Sequence, residues 1–217
     1  MKIAVLGTGV VGVTIATKLV ELGHQVMLGA RSKENEKALD FVEKNKSQAQ
    51  ASNYAEAAAF GELLFNCTKG EASIEALLLA GEENMKDKVL IDIANPLDFS
   101  QGMPPTLSVL NTSSLAEMIQ AKFPEVKVVK ALNTMWCGIM VNPQMIGDGE
   151  HHTFVSGNDK EAKMLVRQIL VSFGWKETNI IDLGDISTAR GTEMYLPLWL
   201  RLYAANNSAA FNIKIVS

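Results

Sequence analysis

A glycine pattern near the start of the chain limits the fold more than any other feature. Gly7-Thr8-Gly9-Val10-Val11-Gly12 follows a short apolar run, Lys2 to Leu6, and opens an amphipathic run, Val10 to Leu22. Strand, GxGxxG and helix in that order are the fingerprint of a dinucleotide-binding βαβ unit. Gly7 permits a tight turn, Gly9 lets backbone approach a pyrophosphate, and Gly12 lets helix and strand pack closely. The helix start then offers free N–H groups to an anion. A second strand, Gln25 to Leu28, and a charged helix, Lys33 to Lys46, complete a second βα unit. Two such units in succession mean a parallel sheet with crossover helices.

The alternation continues along the chain. Strands are expected at Leu63–Asn66, Val89–Ile93, Val126–Lys130, Thr153–Ser156 and Ile180–Leu183, with helices near Ala72–Ala80, Ser114–Lys122 and Lys160–Phe173. The fold class is therefore α/β, a Rossmann-type doubly wound, mostly parallel sheet of seven or eight strands, with a C-terminal helical segment. The first 184 residues form the dinucleotide-binding domain, and residues 185–217 form the C-terminal helix and tail. That segment reads as helix from Ser187 to Ala210, and "FNIKIV" reads as a last strand or a tail. Two irregular regions, "NPLDFSQGMPPTLSVLNTSS" and "NTMWCGIMVNPQMIGDGEHH", follow strand ends. In an open α/β sheet that is the edge where ligands bind.

The residues after the second strand decide which dinucleotide. The usual acid there hydrogen-bonds the ribose hydroxyls and repels a 2′-phosphate. Here the chain reads Gly29-Ala30-Arg31-Ser32-Lys33, and Arg31 lies 24 positions after Gly7 (31 minus 7). Arg31, Ser32 and Lys33 offer charge-assisted donors to a 2′-phosphate, so the cofactor is read as NADP(H).

Composition excludes several other classes. A net charge of -4 with no basic run argues against a nucleic-acid surface. No window approaches the roughly 18 apolar residues of a membrane span, and no cleavable leader is evident at the start, so a cytoplasmic protein is expected. Cys67 and Cys137 match no metal or disulfide spacing and read as reduced thiols, with no helix start or cation evident near Cys137. The adjacent pair His151-His152 is a poor metal clamp, because neighbouring strand side chains point to opposite faces. No metal site is expected, and His24 reads as structural.

Taken together, the glycine loop, "LGHQVMLGARS", "VKVVKALNTM", "FVSGNDKEAKMLVRQIL" and "GTEMYLPLWLRLYAANNSAAFNIKIV" resemble the NADPH-dependent oxidoreductases of the deazaflavin coenzyme F420. The same unit is similar to the oxidoreductase domain of the STEAP ferric reductases, in which NADPH reduces a flavin. The resemblance implies that Thr8, Val10 and Val11 meet the pyrophosphate and that Arg31 with Ser32 holds the 2′-phosphate. Cys67-Thr68-Lys69 and Ile93-Ala94-Asn95-Pro96 would border the ribose and nicotinamide, and the acceptor ring would stack near Asn133, Thr134, Met135 and Trp136. Two departures stand out. Ala30 replaces a serine usual before the arginine, and Asn133 and Trp136 replace the histidine and proline of an "ALHTIP" passage.

No catalytic acid or base is obvious. Hydride transfer between stacked rings needs positioning and water exclusion more than proton chemistry. Asn133 is the candidate for hydrogen bonding to the acceptor ring, and it or Lys69 is the candidate for meeting charge left there. The expected activity is transfer of hydride between NADP(H) and a flavin-like ring, either F420 or FAD or FMN. A reductase of a small imine or keto acid is an alternative, although about 30 residues after "DIS" are few for its usual C-terminal domain. A non-enzymatic NADPH sensor is another. The C-terminal helix carries Leu196, Trp199, Leu200 and Tyr203 on one face and Leu198 and Leu202 on another. Two apolar faces want two partners, its own sheet and the second subunit of a homodimer.

Overall fold

In the computed structural model, which describes residues 1–45 and 48–216, the chain starts with β1 (Lys2–Leu6), α1 (Val10–Glu21) and β2 (Gln25–Ala30). Ile3, Ala4, Val5 and Leu6 are fully buried, as expected of a parallel strand covered on both faces. Ile3 and Val5 face one apolar core and Ala4 and Leu6 the other, because side chains alternate across a strand. The crossover helix α1 buries Gly12, Ile15, Ala16 and Leu19 at helical spacing. β2 runs two residues beyond its expected end, so Arg31 leaves directly from the strand.

Helix α2 (Glu36–Asn45) begins later than the expected Lys33. Asn35 takes the capping position instead, its Oδ1 accepting the Ala38 N–H at 3.1 Å. The expected end at Lys46 lies outside the described residues. Two elements that the sequence pattern did not locate come next, β3 (Ala49–Asn53) and α3 (Tyr54–Phe60). β3 is an edge strand paired only with β2. Asn53 then caps α3, accepting from the Glu56 N–H at 2.9 Å.

The rest of the chain gives β4 (Leu63–Asn66), α4 (Gly70–Ala80), α5 (Glu82–Met85), β5 (Val89–Asp92), the hairpin β6 (Leu97–Asp98) and β7 (Thr106–Leu107), α6 (Leu115–Lys122), β8 (Lys127–Ala131), α7 (Cys137–Val141), β9 (Thr153–Gly157), α8 (Lys160–Ser172) and β10 (Ile180–Gly184). The strand order is β10-β9-β8-β5-β4-β1-β2-β3. All neighbours run parallel except β8 and β9. The eight-stranded, doubly wound sheet matches the fold class read from the sequence. Chain order reverses direction about β1, and the crevice at the carboxyl ends of β1 and β4 is where such sheets bind ligands.

The C-terminal segment is not one helix from 187 to 210. It divides into α9 (Ala189–Met194) and α10 (Leu196–Asn206), with Pro197 in the first turn of α10 and Asn207 ending it in the left-handed region at φ 48°. Only Leu196 of α10 is buried, while Leu198 and Tyr203 are 55% and 47% exposed. Trp199 stacks on Tyr203 and on Phe211, with each ring centroid 5.5 Å away. "FNIKIV" is a tail, held where the His152 N–H donates to the Ile213 carbonyl at 2.9 Å.

Candidate active site

The glycine loop is fixed by close approach. Gly7 has φ +116° and donates its N–H to the Gly29 carbonyl at 2.9 Å, tying the loop to β2. A Cβ at Gly12 would stand 1.9 Å from the Gly7 carbonyl oxygen, so only glycine lets α1 start this close to β1. Beside Gly9 there is open space. The start of α1 has no side-chain cap and no acid in its first turn, which leaves its N–H groups and positive end free for a phosphate.

At the end of β2 the three expected phosphate donors already meet carboxylates. The Ser32 hydroxyl donates to Glu34, and Lys33 Nζ pairs with Glu56 at 2.5 Å. Arg31 stands 3.9 Å from Glu75. The Ser32 hydroxyl holds the Glu34 carboxyl below its ordinary range, and Lys33 does the same for Glu56. Arg31 also borders a shallow recess with Asn53, Tyr54 and Leu79. Sequence reading missed Glu56, Asn53 and Tyr54 because all three lie on or beside the unlocated β3 and α3.

Between the carboxyl ends of β1, β4, β5 and β8 lies a cleft of about 280 Å³. Val11 closes one side, and Cys67, Thr68 and Lys69 form the wall after β4. Asn95 and Ile93 come from the loop after β5, Met135 and Met140 from the segment after β8, and Leu97 and Phe99 from the β6–β7 hairpin. The fold thus brings most of the expected nicotinamide-side residues, and Met135 of the expected acceptor residues, to one place. The hairpin and Met140 are additions; strands of two residues leave no periodicity to read.

Three expected acceptor residues sit elsewhere. The Asn133 side chain is buried beside the cleft and donates to Asn95 Oδ1 at 2.9 Å, while Asn95 Nδ2 donates to the Asn133 carbonyl at 2.8 Å. This reciprocal pair locks the loop after β5 to the loop after β8. Thr134 faces a second apolar recess, with Phe154, Leu183, Tyr195 and Ile213. Trp136 lies over Gly138, where a Cβ would come within 2.4 Å of the indole, and it is 39% exposed.

Both cysteines are free. Burial pushes the Cys67 thiol well up, with Asp92 and Cys137 adding to it, so Cys67 lines the cleft as a neutral group. Cys137, against the sequence expectation, is the first residue of a helix, α7, and accepts a weak hydrogen bond from Thr14 Oγ1 at 3.8 Å. Among the described residues no three His, Cys, Asp or Glu side chains gather to hold a metal. His151 has a structural place: its Nε2 donates to the Pro143 carbonyl at 2.9 Å, and its ring meets Trp175 edge-on at 5.0 Å. No helix of the described residues is long and apolar enough to cross a membrane.

This geometry can be set beside known proteins. Residues 2–96 match the family described as NADP oxidoreductase, coenzyme F420-dependent. A crystal structure from Arthrobacter sp. FB24, described as a candidate F420-dependent NADP-reductase, superposes with a TM-score of 0.95 at 50% identity over the whole of both chains. The F420-dependent NADP reductase of Methanocaldococcus jannaschii is 28% identical over 100% of this chain and 99% of its own length. Metalloreductase STEAP3 of Rattus norvegicus is 28% identical over 91% of this chain, which spans 38% of that protein. The whole-length likeness at 50% identity places the chain in the coenzyme F420-dependent NADP oxidoreductase family, and it is an NADP-dependent oxidoreductase.

Proposed function

We propose that this chain transfers hydride between NADP(H) and a flavin-like ring, with the deazaflavin F420 as first candidate and FAD or FMN as the others. The observation that carries the reading is the cleft. Its apolar walls, Ile93, Leu97, Phe99, Met135 and Met140, adjoin an anion-binding helix start and suit a flat ring that must be stripped of water. The pyrophosphate goes to the Thr8–Val11 backbone and the 2′-phosphate to Arg31, Ser32 and Lys33. Thr68, Ala94 and Asn95 border the nicotinamide.

Bound NADPH supplies the hydride, and the chain supplies geometry. The Asn95–Asn133 pair holds the two loops that flank the reacting rings, which is the role this reading gives Asn133. Lys69, on the cleft wall, is the group to meet negative charge left on the acceptor ring. The exposed apolar face of α10, with Leu198 and Tyr203, is assigned to contact with a second copy of the chain, and a cytoplasmic location goes with the reading.

The test is NADPH oxidation followed at its absorbance band with F420, FAD, FMN, riboflavin or no acceptor, and with NADH as control. Turnover with one ring acceptor at a rate far above the others is the expected result. Tight NADPH binding without turnover on any ring would overturn the reading and favour a small carbonyl substrate or a sensor. Light scattering tests the second copy: a species of twice 23.6 kDa is expected, and Leu198→Glu should reduce it to one chain.

A further inference from the structure

Three neighbouring strands carry a polar side chain at one shared register near their carboxyl ends. Asn66 of β4 stands beside Asp92 of β5, and Asp92 beside Lys130 of β8. All three are buried, with Lys130 1% exposed. Asn66 Nδ2 donates to Asp92 Oδ1 at 2.8 Å, and Lys130 Nζ donates to Asp92 Oδ2 at 2.8 Å. From the C-terminal segment Glu193 of α9 brings a second carboxylate, 2.7 Å from the same ammonium. Burial disfavours the Lys130 charge, but Asp92 and Glu193 more than offset this and hold it above the ordinary lysine value. The surplus negative charge has an outlet: Glu193 accepts the Leu115 and Ala116 N–H groups, at 2.7 and 3.1 Å, at the positive start of α6.

The row grips both walls of the cleft. Asn66 Oδ1 accepts from the Thr68 hydroxyl at 2.6 Å, and Thr68 lines the cleft. Ala94 is held at both backbone groups. Its N–H donates to Asp92 Oδ1 at 3.3 Å, and its carbonyl accepts from Lys130. The next residue is Asn95, which carries the bridge to Asn133. Buried ionic sets are a poor means of stabilising a fold, since apolar side chains of like volume commonly do as well. This one links two ligand loops to the C-terminal segment.

We propose that Asp92, Lys130 and Glu193 are positioning residues for the nicotinamide half of the dinucleotide site, acting through Thr68 and Ala94–Asn95. The inference rests on the NADP reading of the cleft. It separates the two halves of the cofactor, because the row touches nothing at Arg31, Ser32 or Lys33.

The experiment is calorimetric titration of Lys130→Met and Glu193→Gln with NADP+ and with 2′,5′-ADP, which has the phosphorylated adenosine half and no nicotinamide. Each variant is first checked for native circular dichroism and a cooperative melt; Glu193→Gln keeps the side-chain size and serves if Lys130→Met does not fold. The expected result is a roughly tenfold weaker Kd for NADP+ with 2′,5′-ADP unchanged within about twofold, a loss of the size that small misplacements produce. A lower melting temperature with both affinities unchanged, or both weakened alike, overturns the inference and leaves the row a structural one. If the unsubstituted chain binds neither ligand, the dinucleotide reading falls first and this inference with it.

Discussion

Lys33 and Ser32 are engaged by carboxylates, so on the proposed reading a 2′-phosphate would compete with Glu56 and Glu34 for the same donors. Exposed pairs of this kind are weak, and a doubly charged phosphate would displace them. Glu56→Gln is therefore expected to tighten NADPH binding by about two- to fivefold without changing NADH binding, since the competing pair removed is a weak, exposed one. Arg31→Ala should weaken NADPH binding about tenfold or more, the loss of one charge-assisted hydrogen bond of roughly 1.5–3 kcal/mol, and leave NADH unchanged. Fluorescence titration with both dinucleotides checks the pair; equal effects on NADH and NADPH would take the 2′-phosphate away from this corner. Arg31 and the glycines were legible because a motif fixes their spacing. The carboxylates were not, because Glu56 and Glu75 meet the donors only through the β2–β3 pairing and the packing of α4. The buried row left a trace of another kind: "LLFN" and "VLID" each close an apolar run with a polar residue, and in "VVKA" a lysine interrupts one.

Among the elements, α6 shows how a short helix is held. Ser114 caps it: its Oγ accepts the Glu117 N–H at 3.1 Å, and its hydroxyl donates to the Glu117 carboxylate at 2.8 Å. Ser114→Ala should cost about 1 kcal/mol of stability by chemical denaturation, the usual loss for such a cap. The Arg190 guanidinium from α9 holds the Glu117 carboxyl below its ordinary value, as the Ala162 N–H at the start of α8 does for Asp159. Both carboxyls are depressed by folding, so their contribution is complete above the ordinary carboxylate values, 4.5 and 3.8, and is lost as pH falls through the lower folded values. The melting temperature should be level near neutrality and drop below about pH 4, and Arg190→Gln should flatten part of that drop. Elements with a strong period, such as β1, α1, β2 and α8, could be read from the sequence. β3 could not, because "AQASN" has only alanines at its apolar positions and no β-branched or aromatic residue, and is a strand by virtue of pairing with β2. The C-terminal helix was read too long because Leu and Ala favour helix throughout, while Pro197 and Asn207 set its real limits.

For the whole molecule, the doubly wound topology follows from the regular succession of βα units, and the position of the cleft follows from the topology. The side of the cleft proposed for the acceptor was less legible, since it is built from the β6–β7 hairpin, the segment after β8 and the Asn95–Asn133 bridge, which lie far apart in sequence. Ligand binding should register globally. With free NADPH at 100 times its Kd the folded state gains about 2.7 kcal/mol, which for a chain of this size is a rise of roughly 5–10 °C in melting temperature. NADH at the same concentration should give a clearly smaller shift, and equal shifts would contradict the reading of Arg31.

The single antiparallel junction in the sheet, β8 against β9, has a consequence for how such a chain can diversify. A parallel junction obliges the backbone to cross over the sheet, whereas an antiparallel one lets it turn back at the same edge. The excursion from Leu132 to His152 therefore leaves and rejoins the sheet beside the cleft. A change of length in this stretch leaves every crossover elsewhere on its path, so the Met135 and Met140 wall of the cleft can be reshaped while the β6–β7 hairpin wall and the dinucleotide scaffold stay as they are.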